Sequence, residues 1–327
     1  MVRLLRNKII AGLCYTIAVL LLLWALAALY VDAGPLDALI LLLLALTAAI
    51  FVRPAPRLAG VTLLAGIAVL VWWLSIPPSN DRDWLVDVSQ LPSVTFDGSR
   101  ATVSNLRNFT YRSETDFDEI WETREYDLDQ LVGIDMFFVT WGLEGIAHTI
   151  TSWRFADGSH LAISIETRKE EGEAYSAFKG FFRQFEIYYV VADERDVIKI
   201  RTDHRDEKVR LYQLNVPPEL ARALLMDYFR EINKLSENAR WYNALTHNCT
   251  TAIRYHQKQI GAAKSFNWRM LLNDHLDELG YERGALNQSL PIEELRRRSD
   301  VTERAKSLPA DENFARAIRQ GLPGFSK

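Results

Sequence analysis

The chain has 327 residues, with 38 basic and 42 acidic side chains and a formal net charge of −4. That length suits a membrane anchor plus one sizeable core or two small ones. The composition excludes a disordered chain, and the acidic balance argues against nucleic acid as a partner.

The average hides a split near residue 77. Up to Ile76 there are only five basic residues (Arg3, Arg6, Lys8, Arg53, Arg57) and two acidic ones (Asp32, Asp37), so the remainder holds 33 basic and 40 acidic side chains. Three apolar runs fill the first segment: Ile9 to Val31, Leu36 to Val52 and Leu58 to Ile76. Each approaches the length needed to cross a ~30 Å hydrocarbon layer at about 1.5 Å per residue, the second being the shortest. They are read as three transmembrane helices (9–31, 36–52, 58–76) in a membrane anchor, 1–76. Arg3, Arg6 and Lys8 precede the first run, and Arg53 and Arg57 fill the turn between the second and third. The positive-inside rule therefore puts "DAGPLD" and everything after Ile76 outside. Trp72, Trp73 and Trp84 suit the outer interface. A signal peptide is the competing reading of the first run, against which stand its length and the two runs that follow. A single span with a buried hairpin would leave the soluble part on the same side.

"SIPPSNDRDW" is a tether too short to carry the outer domain far from lipid headgroups. It opens a linker with the first strands, 77–104. "SVTFDG", "ATVSNLRNFTYRS" and "MFFVTWG" read as strands by aromatic and β-branched content, whereas "SETDFDEIWETREYDLDQL" reads mostly as loop. The most regular pattern is "IAHTITSWRF", a turn "ADG" and "SHLAISIE". A three-residue loop, Ala156 to Gly158, separates the two faces of this hairpin; a two-residue loop mixes them. One face then carries Trp153, Phe155, Leu161, Ile163 and Ile165. The other carries His148, Ser152, Arg154, His160, Ser164 and Glu166, with His148 opposite Glu166. "EIYYVVAD", "VIKIRT" and "VRLYQLNV" extend the sheet.

From Pro217 the pattern turns helical, with Leu220, Leu224, Met226, Phe229 and Ile232 at near-helical spacing. A second helix runs from about Asn248 to before Gly261, and 262–327 reads as a helical extension. The whole is α+β, with N-terminal transmembrane helices followed by an antiparallel-sheet-plus-helix domain.

The chain has two cysteines, Cys14 in the first apolar run and Cys249 in the outer domain, so they do not pair. An exported domain with one leftover thiol has an intermolecular bridge, an inert buried thiol or a reactive one. Asn248 or Thr246 caps the second helix, which puts Cys249 in its first turn, where the positive end of the helix dipole favours thiolate. A nucleophile also needs a base held by a third group. Among six histidines, His148 ranks first as that base, with His160 and Glu166 competing to orient it. His256 is two turns along the same helix and too far away, His247 is not aimed at the thiol, and His204 and His275 lie in a charged turn and on a polar helix side. A structural strand histidine is the plain alternative for His148. Zinc would need three or four ligands at deliberate spacing, and "HNC" with His148 and His160 does not supply it, so no metal is expected. No other cofactor is expected: the chain has no Gly-rich phosphate loop and no "GxSxG".

"AHTITSWRFADGSHLAISIETRKEEGEAYS", "IYYVVADERDVIKIRT" and "WYNALTHNCTTAI" together resemble the Lnb N-terminal periplasmic domain family, related to the bacterial lipoprotein N-acyltransferase Lnb. The resemblance covers about 105–261. It marks His148, Glu166 and Cys249, with Arg168, Glu194, Arg195, Asn248 and Thr250 as support. The order His, a second His twelve residues on, then "NC" at a helix start is also similar to lecithin:retinol acyltransferase-like enzymes, permuted relatives of NlpC-type, papain-like hydrolases. In that group the first His is the base, the second orients it and the cysteine carries the acyl group. The resemblance implies a bacterial inner-membrane protein with its C-terminal domain in the periplasm. Its implied substrate is a membrane lipid or lipoprotein. A papain-like amidase or peptidase of the envelope and a non-catalytic envelope module with a packed thiol remain the alternatives. The sequence does not fix the oligomeric state, the acyl donor or the acceptor.

Overall fold

The computed structural model describes residues 2–52, 55–142, 145–270 and 273–325. Arg53 lies outside the described residues, as do the side chains of Arg3, Arg6 and Lys8. The chain forms two compact units, one of residues 1–79, 175–186 and 241–243, the other of 80–174, 187–240 and 244–327.

The first unit is built on three apolar helices: α1 (Val2–Asp32), α2 (Pro35–Phe51) and α3 (Ala55–Ser75). Gly34, at φ 137°, turns the chain between α1 and α2, a conformation a Cβ would strain, and Pro35 suits the first helical position. Gly66 lets α1 and α3 approach closely, because a Cβ there would stand 2.5 Å from Leu21. Trp24 and Trp73 meet edge to face at 5.4 Å, and Trp73 Nε1 donates to Asp32 Oδ2 at 2.8 Å. The C-terminal ends of α1 and α3 therefore lie together. Ile9–Asp32 and Pro56–Ser75 are long and apolar enough to cross a membrane, with mean hydropathies of 2.5 and 2.1. The second apolar run, expected to be the shortest, is shorter than these two. With 17 residues, α2 reaches only about 25 Å, short of the ~30 Å core.

The second unit is α+β. Its strands are β1 (Ser93–Asp97), β2 (Arg100–Arg107), β3 (Thr110–Tyr111), β4 (Phe117–Asp118), β5 (Trp121–Asp127), β6 (Leu131–Thr140), β7 (His148–Phe155), β8 (His160–Arg168), β9 (Glu186–Ala192) and β10 (Lys208–Gln213). The helices are α4 (Glu194–Lys199), α5 (Pro218–Glu237), α6 (Cys249–Gln259), α7 (Leu276–Glu282), α8 (Ile292–Ser299), α9 (Thr302–Ser307) and α10 (Phe314–Ile318). The main sheet runs β1-β2-β9-β8-β7-β6-β10, with β5 also on β2. It is mixed rather than purely antiparallel, since β2 meets β9 in parallel at Arg107↔Ala192.

The β7–β8 hairpin closes through the three-residue loop. Phe155 N–H donates to the Ser159 carbonyl at 3.0 Å, and Gly158 takes φ 88°. Its register runs Arg154↔His160, Trp153↔Leu161, Ser152↔Ala162, Thr151↔Ile163 and Ile150↔Ser164. Both faces are covered by helices. Trp153 packs under α5, donating to the Ala221 carbonyl at 3.1 Å and meeting Tyr228 edge to face. On the opposite face Ile150 and Ala162 join Val197 and Ile198 of α4, Val301, Ala305 of α9 and Phe314 and Ile318 of α10 in one buried cluster. The face that alternation marks as polar is thus an apolar core with charged groups at its ends.

Two local expectations are corrected. "VIKIRT" is not a strand: α4 continues into a π-helical stretch, Ile200–His204. The Asp193 carboxylate caps α4 by accepting from Arg195 N–H, and the buried Val197, Ile198 and Ile200 face the sheet at helical spacing. The charged segment after Ser113 is not mostly loop, since it holds β4 and β5. β5 lies against β2 with most side chains half-buried or exposed, so its charges (Glu122, Arg124) are tolerated where a central strand would exclude them.

Candidate functional site

Asn248 starts α6 with a capping box. Its side chain accepts from Thr251 N–H, and the Thr251 hydroxyl accepts from Asn248 N–H. Cys249 is therefore the first helical residue. Thr250 follows it and receives Asn273 Nδ2 at 2.9 Å. Asn273 also brackets Ala147, accepting from its N–H at 2.7 Å and donating to its carbonyl at 2.5 Å. One buried amide thus ties the start of α6 to the residue before His148. The Cys249 sulfur lies 3.9 Å from Thr250 Oγ1, with the backbone N–H groups of Thr149 and Thr250 near enough to favour its charged form.

Those donors do not make a thiolate. Cys249 is 8% exposed, and burial pushes its thiol above the ordinary value by more than the N–H groups lower it. This overturns the lowered pKa expected from the helix terminus alone.

His148 follows Ala147 as the first residue of β7. Its Nε2 lies 2.7 Å from Ser164 Oγ, and Ser164 Oγ donates to Glu166 Oε1 at 2.7 Å. Arg201 NH2 donates to the same carboxylate oxygen at 2.7 Å. Burial would raise the Glu166 pKa, but Arg201 and then His148 hold it well below the usual range. Since the Ser164 proton goes to Glu166, the Ser164 oxygen accepts from His148 Nε2–H. The Nδ1 lone pair is then left for other work. Burial, and secondarily Arg201, lower the His148 pKa to about 4, so the ring is neutral at pH 7. The His148 and Glu166 side chains are 16% and 24% exposed, which leaves this end of the hairpin open to water.

Successive residues of a strand point to opposite faces. Thr149 is beside Cys249, so His148 faces the α4 side of the sheet while the sulfur lies on the other. The expected direct thiol–imidazole contact is not formed.

His160 is not the partner of His148. It is at the other end of the hairpin, about 20 Å away at roughly 3.3 Å per residue. There Arg319 bridges the buried Asp135 at 2.8 Å and Glu194 at 2.7 Å, and Ser152 donates to Glu194. His160 is pushed down by burial against the opposing pull of Glu194, and its ring nitrogens have no hydrogen-bond partner among the described residues. Glu194 thus belongs to this charge cluster rather than to the Cys249 site. Arg195 binds Thr110 and the Ala310 carbonyl, and Arg168 bonds the Val88 carbonyl while lying 4.2 Å from the Trp84 ring. Neither meets Cys249. Asn248 and Thr250 do, as cap and neighbour.

Sequence reasoning passed over His256 and Asn273. His256 is fully buried on the same side of α6 as Cys249. Its Nδ1 is 2.8 Å from Asp227 Oδ2, its Nε2 is 2.8 Å from Tyr189 Oη, and it stacks on Tyr228 at 3.9 Å. Its i+7 spacing from Cys249 on an amphipathic helix was the available signal. Asn273 sits in an irregular tail segment and gave none. No group of three or more His, Cys, Asp or Glu among the described residues is placed to hold a metal ion.

The family model of the Lnb N-terminal periplasmic domain matches residues 117–274, a window that holds His148, Glu166, Cys249 and Asn273. No curated protein and no solved structure matches the chain. The match spans just under half of the 327 residues, so this part of the outer domain is similar to the Lnb N-terminal periplasmic domain family.

Proposed function

We propose that this chain is a membrane-anchored envelope protein whose outer domain transfers or hydrolyses an acyl group of a membrane lipid or lipoprotein through Cys249. The observation that carries the reading is the capped start of α6. It holds Cys249 under two backbone N–H groups, tied through Asn273 to the strand that begins with His148. A thiol and two fixed N–H donors are the parts an acyl-transfer site needs for attack and for the oxyanion.

Because the thiol is raised and His148 lowered, both groups rest neutral. His148 then acts as a general base and not as half of a standing ion pair. Because the two side chains rest on opposite faces of the sheet, the start of β7 and the start of α6 have to shift together to bring the sulfur to His148 Nδ1. The sulfur attacks an ester carbonyl as its proton passes to Nδ1, and the C–O bond breaks with that proton going to the leaving alcohol. The thioester carbonyl is next attacked by an amine or water, whose proton passes through Nδ1 to the departing sulfur. The expected permuted papain-like fold belongs to this proposal. A second reading, a non-catalytic module, is favoured by one observation, the burial of Cys249.

The anchor is read as three-pass in the bacterial inner membrane with the domain in the periplasm. The family is periplasmic, and the adjoining C-terminal ends of α1 and α3 support a return of the chain between them through α2.

The test is acid-quenched mass spectrometry of the Cys249 peptide after the full chain, in phospholipid nanodiscs, meets diacyl lipid or a triacylated lipopeptide. An acyl mass on Cys249, lost in Cys249→Ser and slowed in His148→Ala, is expected. No adduct on either substrate, with envelope function intact in Cys249→Ser, would establish the packed-thiol module instead.

A further inference from the structure

Residues 175–186 belong to the first unit, with the apolar helices, although they lie more than ninety positions beyond α3. Arg183 NH1 donates to the Ile76 carbonyl, and its guanidinium lies 4.6 Å from the Trp73 ring. Gln184 Nε2 donates to Asp32 Oδ1 at 2.9 Å, and Arg183 N–H reaches Asp32 Oδ2 at 3.4 Å. Asp32 ends α1, and Ile76 follows α3. The segment is therefore fastened where the two membrane-length helices stop.

Its side chains are sorted by direction. Phe182 and Phe185 are buried, while Tyr175, Phe178 and Phe181 are 52, 56 and 47% exposed. The exposed three recur every third residue, and Phe178 caps and Phe181 ends a 3₁₀ turn, Lys179–Phe181, in which positions i and i+3 eclipse. Tyr175 stacks on Phe185 and Phe178 meets Phe182 edge to face, yet all three outer aromatics keep about half their surface open, an unusual outlay for water-facing surface. Lys179 rises from the same turn and has no ion-pair partner among the described residues.

We propose that Tyr175, Phe178 and Phe181 insert into the headgroup and upper acyl region of the leaflet where α1 and α3 end, with Lys179 at the phosphates. The occupant of this surface is lipid because the segment is hydrogen-bonded to the helix ends and so shares their depth. Aromatic rings favour that depth and a lysine favours its charge. The inference rests on the reading of α1 and α3 as spans.

The experiment uses the full chain with Cys14→Ser in nanodiscs of zwitterionic and anionic phospholipid, spin-labelled at Phe178→Cys, Phe181→Cys, Ile17→Cys or Asp97→Cys. A sample without an added cysteine corrects for the buried Cys249. Oxygen, which concentrates in lipid, and a water-soluble nickel chelate compete to relax each label. The expected result is oxygen-dominated relaxation at 178 and 181, as at the α1 position 17, and nickel-dominated relaxation at 97. Nickel-dominated relaxation at 178 and 181 with position 17 in lipid overturns the inference alone. Nickel access at 17 overturns the membrane reading beneath it. Labels at 178 and 181 shielded from both reagents overturn the inference in favour of a protein partner. Unchanged thermal unfolding of each labelled chain confirms that the fold is intact.

Discussion

His256 gives the most quantitative prediction. The neutral ring has both nitrogens satisfied, with Nδ1–H donating to Asp227 and Nε2 accepting from Tyr189. Burial lowers its pKa from 6.5 to about 4, outweighing the opposing hydrogen bond and charge of Asp227. The unfolded chain therefore binds a proton near pH 6.5 that the folded chain refuses until about pH 4. Stability is full above the unfolded value and drains away as pH falls through this window. By linkage the loss is about 2 kcal/mol at pH 5 and roughly 3 kcal/mol below pH 4. His256→Gln keeps one donor and one acceptor but does not titrate. Thermal unfolding of the full chain in detergent, followed by tryptophan fluorescence at pH 7.5 and 5.0, separates the two proteins. The wild type should fall further than the variant by roughly 4–8 °C, using about 2–4 °C per kcal/mol for a domain of this size. Other titrating groups, His148 included, contribute equally to both and cancel. Equal losses in the two proteins would refute the claim that the buried ring is held neutral.

Three further outcomes follow from the same contacts. Iodoacetamide should label Cys249 slowly at pH 7, with a rate that climbs only above the ordinary thiol range; rapid labelling at neutral pH would contradict a thiol raised by burial. Arg201→Gln removes the cation that, after burial, holds the His148 pKa down, so that pKa should rise above about 4, read from histidine ring signals in NMR, and an unmoved value would show that burial alone sets it. Asn273→Ala strands the Ala147 N–H and carbonyl and should cost roughly 2–3 kcal/mol, against about 1 kcal/mol for losing the helix cap in Asn248→Ala. Urea unfolding that ranks the two variants the other way would mean that the tie between α6 and β7 is not made by Asn273.

Much of the local structure was legible in the sequence because it is fixed by neighbours. The apolar runs before Ile76, the Gly158 loop with its register, and the Asn248 cap that makes Cys249 a first-turn residue all depend on short-range periodicity and turn chemistry. The same periodicity misread "VIKIRT", since β-branched residues in a run of six fit a strand as well as a buried helical face. Only packing against Ile150 and Ala162 decided it.

The site depended still more on tertiary structure. Alternation put His148, His160 and Glu166 on one face of the hairpin, but it contains no information about where along that face other elements bring charge. Arg201 comes from α4's π-helical continuation to Glu166, while Arg319 comes from the C-terminal tail to Glu194, and these arrivals divide one polar face into two separate clusters. The helix dipole predicted a lowered thiol pKa, whereas the covering of α6 supplied a larger desolvation with the opposite sign. Sequence by itself determined the elements, the hairpin register and the residue types at the site. The protonation states of those residues, and which of them meet, were set by the burial and long-range charges that only the folded chain creates.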